Sequence, residues 1–469
     1  MKVLFVFPNI LKYENISVGI GHLSSYLKAF GHQTDLLDFT YGLSEKKVLR
    51  RIKEFDPGLI GFSVTTGDFQ FCCGLAGRIK KVTRTPIVFG GVHPTIEPEE
   101  TIRQPAVDMI CVGEGEEALL EMVSRMEQGE QLRDVRNFYI KEGDRIFRNE
   151  VRPLIQDLDR LPPVDLELFH YERLLPLRAY EGQVMVGRGC PYQCTYCVNP
   201  ILQKLYRGGG RFVRYRSVEN VMKELHDLVG RYRIKSLYFC DDVLVLNRNW
   251  LEAFCARYRQ EIGLPFRCQI RPEMISEPIC ALLRNTGCSS LQMGIEAGDE
   301  YIRNEVLKRR HSNEKILEAI RMARQADMTV YVYNMVGLPF ETDKEILRTI
   351  DLNRRAKPDF MQTAIFQPYP GTELKAICER EGWLREDVNQ IRSNKFSSIV
   401  EYPSLSRKAI RRYKSRFRYM VYKDEDLVKA LICLFFDSNY RLLTTLRAKV
   451  PQRVRAWVNQ MIYRFSMSR

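Results

Sequence analysis

Three cysteines, Cys190, Cys194 and Cys197, are the side chains in this sequence whose types and spacing best suit shared chemistry. They stand in Val184–Pro200, VMVGRGCPYQCTYCVNP, and an aromatic residue, Tyr196, directly precedes the last. Such close spacing lets one loop wrap a single inorganic cluster with three thiolates. A ferredoxin cluster takes a fourth cysteine, and none follows nearby. The spacing therefore points to a 4Fe–4S cluster with one iron open to another ligand. Zinc held by the same three thiolates and a fourth ligand from elsewhere is the alternative.

The elements that position this loop follow from hydrophobic periodicity. The run Val184–Val186 reads as a buried strand, which puts the cysteines on the loop after its C-terminal end. Further apolar runs follow at Ser236–Phe239, Phe266–Gln269, Ser290–Met293, Val330–Asn334 and Met361–Phe366, with helical patterns between them. Six parallel βα units predict a partial (β/α)6 barrel over 183–375, whose chemistry gathers at the C-terminal strand ends. Residues 2–128 show five more short strands alternating with helices, the pattern of a doubly wound parallel sheet. Glycines collect at its strand ends: Gly90 and Gly91 in GGVHPT, Gly113 and Gly115 in VGEGE. They let backbone approach a large flat ligand. A connector is expected over 129–182, with a hairpin turning at Glu142-Gly143-Asp144. Residues 376–469 form a basic helical C-terminal region.

Composition narrows the class. At 469 residues the chain has room for two or three domains. Its thirteen cysteines are scattered rather than spaced as a disulfide framework, so Cys255, Cys280 and Cys378 read as small buried hydrophobes. MKVLFVFP is too short for a signal-peptide core and no stretch approaches a bilayer-spanning length, which predicts a cytoplasmic, reducing location. The net charge of +14 sits in the tail, where Pro403–Arg469 holds sixteen Lys and Arg against four acids. Pro451 followed by Val454, Trp457, Met461 and Phe465 predicts a basic amphipathic helix, able to lie on the anionic inner membrane surface or to pack on the barrel.

The cysteine triplet resembles the CxxxCxΦC signature of the radical S-adenosylmethionine (SAM) superfamily, in which SAM chelates the open iron. Strand ends in the expected order extend the resemblance. Asp241 or Asp242 would meet the SAM ammonium, and Arg271, beside Gln269, its carboxylate. Glu296, in a GIE run, would hold the ribose; Asn334-Met335-Val336-Gly337 would lie near adenine; Tyr369, in QPYPGT, would edge the nucleoside. The run GIGHLSSYLKAFGHQTDLLD, with GGVHPT and VGEGE, resembles the cobalamin-binding domain ahead of many radical SAM enzymes. It lacks Asp-x-His-x-x-Gly, so cobalamin bound without a protein histidine on cobalt is expected; His22 and His93 read as loop or cap residues. The resemblance covers about residues 1–375.

It implies a cobalamin-dependent radical SAM methyltransferase, which cleaves SAM to a 5′-deoxyadenosyl radical and methylates an unactivated carbon. A flavodoxin or ferredoxin would supply the electron. The basic tail tilts the expected substrate towards a membrane lipid such as a hopanoid; a tetrapyrrole or other small-molecule methylase or cyclase fits residues 1–375 equally. A tRNA methylthiotransferase would draw three further cluster cysteines from its N-terminal domain, where only Cys72, Cys73 and Cys111 occur. A cobalamin or redox sensor would not need SAM-binding strand ends. Nucleic acid is not an expected partner.

Overall fold

Each apolar run of the first hundred or so residues becomes a strand in the computed structural model, which describes residues 1–385, 397–440, 442–443, 446, 450 and 453–459. The chain divides into two units, Met1–Leu174 with Pro200–Arg214, and Leu175–Asn199 with Tyr215–Arg469.

In the first unit, β1 (Lys2–Phe7), β2 (Gln33–Asp38), β3 (Leu59–Ser63), β4 (Ile87–Gly90) and β5 (Met109–Cys111) pair in parallel in the order 2-1-3-4-5. This is the doubly wound arrangement, with its strand order reversing beside β1. The turn signal at Gly143 does close a hairpin, β6 (Phe138–Glu142) with β7 (Arg145–Arg148), which extends the same sheet antiparallel from β5. Apolar side chains such as Leu4, Phe62, Phe69 and Phe89 fill the core.

The second unit holds six parallel strands: β8 (Glu181–Val184), β9 (Ser236–Phe239), β10 (Phe266–Gln269), β11 (Cys288–Glu296), β12 (Thr329–Val336) and β13 (Phe360–Ile365). Each pairs with its chain neighbour, so the sheet runs in sequence order from β8 to β13, as a partial barrel requires. Its helices start where side chains cap them. Ser217, Asn247, Ser312 and Thr372 each accept a hydrogen bond from a first-turn N–H, and Thr342 with Glu345 forms a capping box. Phe239 packs its ring against Phe254, Tyr258 and Phe266, which fixes the helix-facing side of β9. Tyr238 consequently faces the opposite side.

β8 departs from expectation. It spans Glu181–Val184 rather than Val184–Val186, because the Val186 N–H is drawn to a side chain and not to a neighbouring strand. In the tail, helix Arg407–Tyr422 packs against β13 and helix Leu427–Ser438 packs on it in turn. Residues 453–459 are helical, whereas Pro451, Met461 and Phe465 of the expected amphipathic helix lie outside the described residues. Among the described residues no helix is long and apolar enough to cross a membrane.

The turn after β12 depends on a carboxyl the sequence did not single out. Glu341 is fully buried and accepts a hydrogen bond from the Leu338 N–H at 2.8 Å. Burial pushes its pKa up to about 8, and burial pushes Asp241 up to about 7. Both therefore keep a proton in the folded chain that the unfolded chain has released. The buried histidines His93 and His311 are held down, to about 4 and about 3, so above pH 6.5 they are neutral in both states. Stability should thus fall as pH rises from about 6.5 to 8, by up to about 1.4 kcal/mol per pH unit for each such carboxyl. Melting temperatures across that range should fall less steeply in Glu341→Gln, which keeps the acceptor and cannot ionise.

Candidate active site

The cysteine loop is tied down at its start, its middle and by the element after β13. Asp241, at the end of β9, is buried and accepts hydrogen bonds from the Gly187 N–H at 2.6 Å and the Val186 N–H at 3.1 Å. Thr195 donates through its hydroxyl to the Val306 carbonyl at 2.6 Å, and its own carbonyl accepts from the Leu374 N–H at 3.2 Å. Val306 closes a π-turn, Ile302–Val306, whose shape is held from inside by Arg303. That fully buried guanidinium donates to the Ala297 and His311 carbonyls and to the Asn313 side chain. A wide helical turn of this kind is a frequent feature of functional sites.

No disulfide joins the three cysteines. Burial first, and then the neighbouring Asp242, Cys197 and Cys194, raise the Cys190 thiol to about 11. Three thiolates at this spot are stable only against positive charge, which is the environment an iron–sulfur core supplies. Among the described residues no three His, Cys, Asp or Glu side chains are set to hold a single metal ion. The protein adds charge of its own. Arg271 donates to Cys194 Sγ at 3.3 Å, lies 3.7 Å from the Tyr192 ring centroid and pairs with Glu273. Arg309, also buried, donates to the Tyr196 hydroxyl at 3.1 Å and to the Gly294 carbonyl at 2.8 Å. Hydrogen bonds and cations beside cluster sulfurs raise the reduction potential.

The expected site residues divide by where their side chains point. Asp242 is exposed, with Asn199 donating to it at 2.9 Å, so of the two carboxylates it is the one open to a ligand. Asp241 is spent on the loop. Glu296 sits at φ +64° where β11 ends, accepts from the Tyr196 hydroxyl at 3.2 Å and lies 3.6 Å from Arg309. Gln269 donates to the Tyr238 hydroxyl at 2.8 Å, on the inner side of the sheet. Tyr369 lies in the turn before helix Glu373–Arg380, its carbonyl accepting from Thr372 Oγ1. Asn334 does not reach the strand-end face. It is buried against helix Asp343–Ala356, exchanging side-chain hydrogen bonds with Asn353 at 2.8 and 3.1 Å. Alternation along β12 turns Tyr333 and Met335 inward instead.

Arg309 and His311 were not legible as site residues. In Lys308-Arg309-Arg310-His311 the charge run reads as a solvated face, yet Lys308 and Arg310 are exposed while Arg309 and His311 are buried. That two-residue alternation was the available signal. The inner side of the sheet is polar: Gln183, Tyr238, Arg267, Gln292, Tyr333 and Gln362 carry it, with Tyr333 donating to Gln292 and Arg267 paired with Glu181.

In the first unit the strand ends show why glycine is needed. Gly91 has φ +99°, and a Cβ there would stand 3.0 Å from the Val64 backbone. Gly113 has φ +82° and is packed by Tyr206, whose hydroxyl accepts from the Glu114 N–H at 2.6 Å. Gly90 ends β4 and Gly115 caps helix Glu116–Gln128. The loop after β1, at the same edge, exposes Ile10, Leu11 and Tyr13. An apolar, glycine-bearing edge suits the flat face of a corrin. His93 is no cap residue: it is fully buried, with its ring 4.0 Å from that of Phe69. His22 faces the Pro162 carbonyl at 3.2 Å.

Separate duties for the two aspartates give separable phenotypes. Asp241→Ala should free the start of the cysteine loop and lower the iron content of anaerobically purified protein by at least about half, as losing an anchor of the ligand loop implies. Asp242→Ala should retain the iron and weaken SAM binding by about tenfold, the cost of one exposed charged contact. Iron analysis and SAM titration on both variants would reverse the assignment if the two results were exchanged.

Comparison with known families agrees with both units. The radical SAM superfamily model matches residues 184–352, and the B12-binding domain model matches residues 10–123. An uncharacterized methyltransferase of Pyrococcus horikoshii is 28% identical over 389 residues, covering 80% of this chain and 82% of the relative. The anaerobic magnesium-protoporphyrin IX monomethyl ester cyclase of Rubrivivax gelatinosus is 25% identical over 395 residues, covering 80% and 69%. Among solved structures, the radical SAM methyltransferase TsrM of Kitasatospora setae, with cobalamin and a [4Fe-4S] cluster bound, superposes at a TM-score of 0.69 with 18% identity, covering 82% of this chain and 79% of that one. The chain thus carries a B12-binding domain and a radical SAM domain, and its cofactors are a 4Fe–4S cluster, SAM and cobalamin.

Proposed function

We propose that this enzyme is a cobalamin-dependent radical SAM methyltransferase acting on an unactivated carbon. The observation that carries the reading is the anchored three-thiolate loop at the C-terminal edge of a six-stranded parallel sheet, in a chain that also carries a B12-binding domain. The bound cofactors supply the electron, the radical and the methyl group. The chain binds and orients. Cys190, Cys194 and Cys197 hold the cluster, Arg271 and Arg309 offset its negative charge, Asp242 takes the SAM ammonium, and Glu296 takes the ribose diol. Gln269 and Tyr369 border the nucleoside. Gly90, Gly91, Gly113 and Gly115 would form the edge that holds the corrin, which would need no protein histidine for its binding. A flavodoxin or ferredoxin delivers the electron.

Within that reading the acceptor is a membrane lipid, for which a hopanoid is the instance; the basic tail supports it. A second reading, a tetrapyrrole or another small molecule with polar edges, is favoured by the tyrosines and glutamines inside the sheet and by the cyclase among the relatives. Incubation with methyl-labelled SAM and either a lipid extract or a porphyrin ester separates the two by where the label goes.

Two tests bear on the chemistry itself. Anaerobic protein should contain about four irons per chain and form 5′-deoxyadenosine under reduction. The variant with Cys190, Cys194 and Cys197 all changed to Ala should lose both, and 5′-deoxyadenosine from that variant would end the radical SAM reading. Cobalamin bound to the protein should show the same absorption spectrum in wild type and in His22→Ala. A shift in the variant would place His22 on cobalt.

A further inference from the structure

Helix Leu427–Ser438 is amphipathic the wrong way round. Its inward face is Ala430, Cys433 and Asp437, the last paired with Arg418 at 2.8 and 2.9 Å. Its outward face is Leu427, Val428, Leu431, Ile432, Phe435 and Phe436, each at least half exposed. Their spacing at i, i+1, i+4, i+5, i+8 and i+9 makes one continuous stripe free of charge. A contiguous apolar strip of this size marks an interaction surface.

Charge decides what covers it. All four acids of the tail are occupied: Asp424 pairs with Arg354, Glu425 with Lys357, Asp437 with Arg418, and Asp426 caps the helix by accepting from the Lys429 N–H. On the preceding helix Lys408, Arg411, Arg412 and Arg416 are exposed. Residues 441–469 add seven Arg and Lys and no acid, and among their described residues Leu442, Leu446, Val454, Trp457 and Val458 are exposed. A second copy would bring the same excess of positive charge against this one, which disfavours self-association. We propose that the stripe on Leu427–Ser438 docks the protein on an anionic lipid surface, with the helix lying in the interface and the surrounding Lys and Arg on lipid phosphates. Its length and charge suit lying on the bilayer rather than crossing it. The inference stands on the exposed side chains and does not depend on the reaction or its acceptor.

Full-length protein is mixed with vesicles of phosphatidylcholine containing about a third phosphatidylglycerol, at low salt. Wild type should sediment with them, should stay in solution with pure phosphatidylcholine, and should be released as salt rises towards about 0.5 M. The double variant Ile432→Glu/Phe435→Glu should bind at least about tenfold more weakly. Its melting temperature should stay within about 2 °C of wild type, because side chains already in water carry little folding energy. SAM cleavage should be unchanged, which keeps this outcome apart from the test of the enzymatic reading. Three results overturn the proposal. One is no sedimentation with anionic vesicles. Another is light scattering that shows a wild-type dimer and a variant monomer, which would make the stripe a contact between copies. The third is a melting temperature well below wild type in the variant, which would mean that residues 441–469 cover the stripe.

Discussion

Asp241 is the constraint on which the site depends. A carboxyl at the end of β9 reaches across to the Val186 and Gly187 N–H groups just beyond β8 and ends that strand early. Beyond the short strand Gly187–Arg188 the chain takes no strand pairing as far as Cys197, long enough to curl three cysteines around one centre. The interaction is costly to set up, since burial raises Asp241 to about 7 even with the backbone donors lowering it. Two backbone donors offset that cost, as they do for any buried acceptor that is fully used. One carboxylate oxygen, Oδ1, accepts from both N–H groups, at 3.1 and 2.6 Å. The loop's geometry is therefore set by a residue 44 to 51 positions away in sequence from the cysteines it serves.

The same dependence explains what the sequence did and did not disclose. Strands such as Leu59–Ser63, Ser236–Phe239 and Phe266–Gln269 were legible because their apolar periodicity is local. The cysteine triplet stood out as a motif because its spacing is local too. The choice between Asp241 and Asp242 was not, because adjacent residues at a strand end point to opposite sides and only the partner loop decides which is buried. Asn334 failed for a related reason: its place after an apolar run suggested a strand end, but β12 continues to Val336 and its alternation turns Asn334 to Asn353. Arg309 and His311 needed the alternation within a charge run to be weighed against the run itself.

Burial inside the second unit is unusual in its chemistry. The helix side of the sheet is aromatic and aliphatic, as the Phe239–Phe254–Tyr258–Phe266 contacts show. The inner side instead pairs phenols with amides and a guanidinium with a carboxylate: Tyr238 with Gln269, Tyr333 with Gln292, Arg267 with Glu181. Such pairs satisfy one another without a ligand, so their presence alone does not demand one. They do set the terms of entry. A ligand that displaces them must return a hydrogen bond for each one broken, because an unpaired buried polar group costs about 1–3 kcal/mol. That condition favours an acceptor with polar edges at the reacting end, whatever apolar body it carries elsewhere.

The tail obeys the opposite logic, and the contrast ties the two ends of the second unit together. Helix Arg407–Tyr422 buries Ile410, Phe417 and Val421, as an ordinary amphipathic helix does. The next helix, packed on it, presents Ala430 and Cys433 inward although Leu431, Phe435 and Phe436 stand next to them in the chain. Its register is fixed by polar contacts, the Asp437 pair with Arg418 near one end and the Asp426 cap at the other. Rotating the helix to bury its stripe would break the Arg418 pair and expose only Ala430 and Cys433 in return, a change that hydrophobic burial alone would favour. A polar latch that holds large apolar side chains in water spends folding energy on something other than folding, and an interaction surface is the purpose that expense can serve.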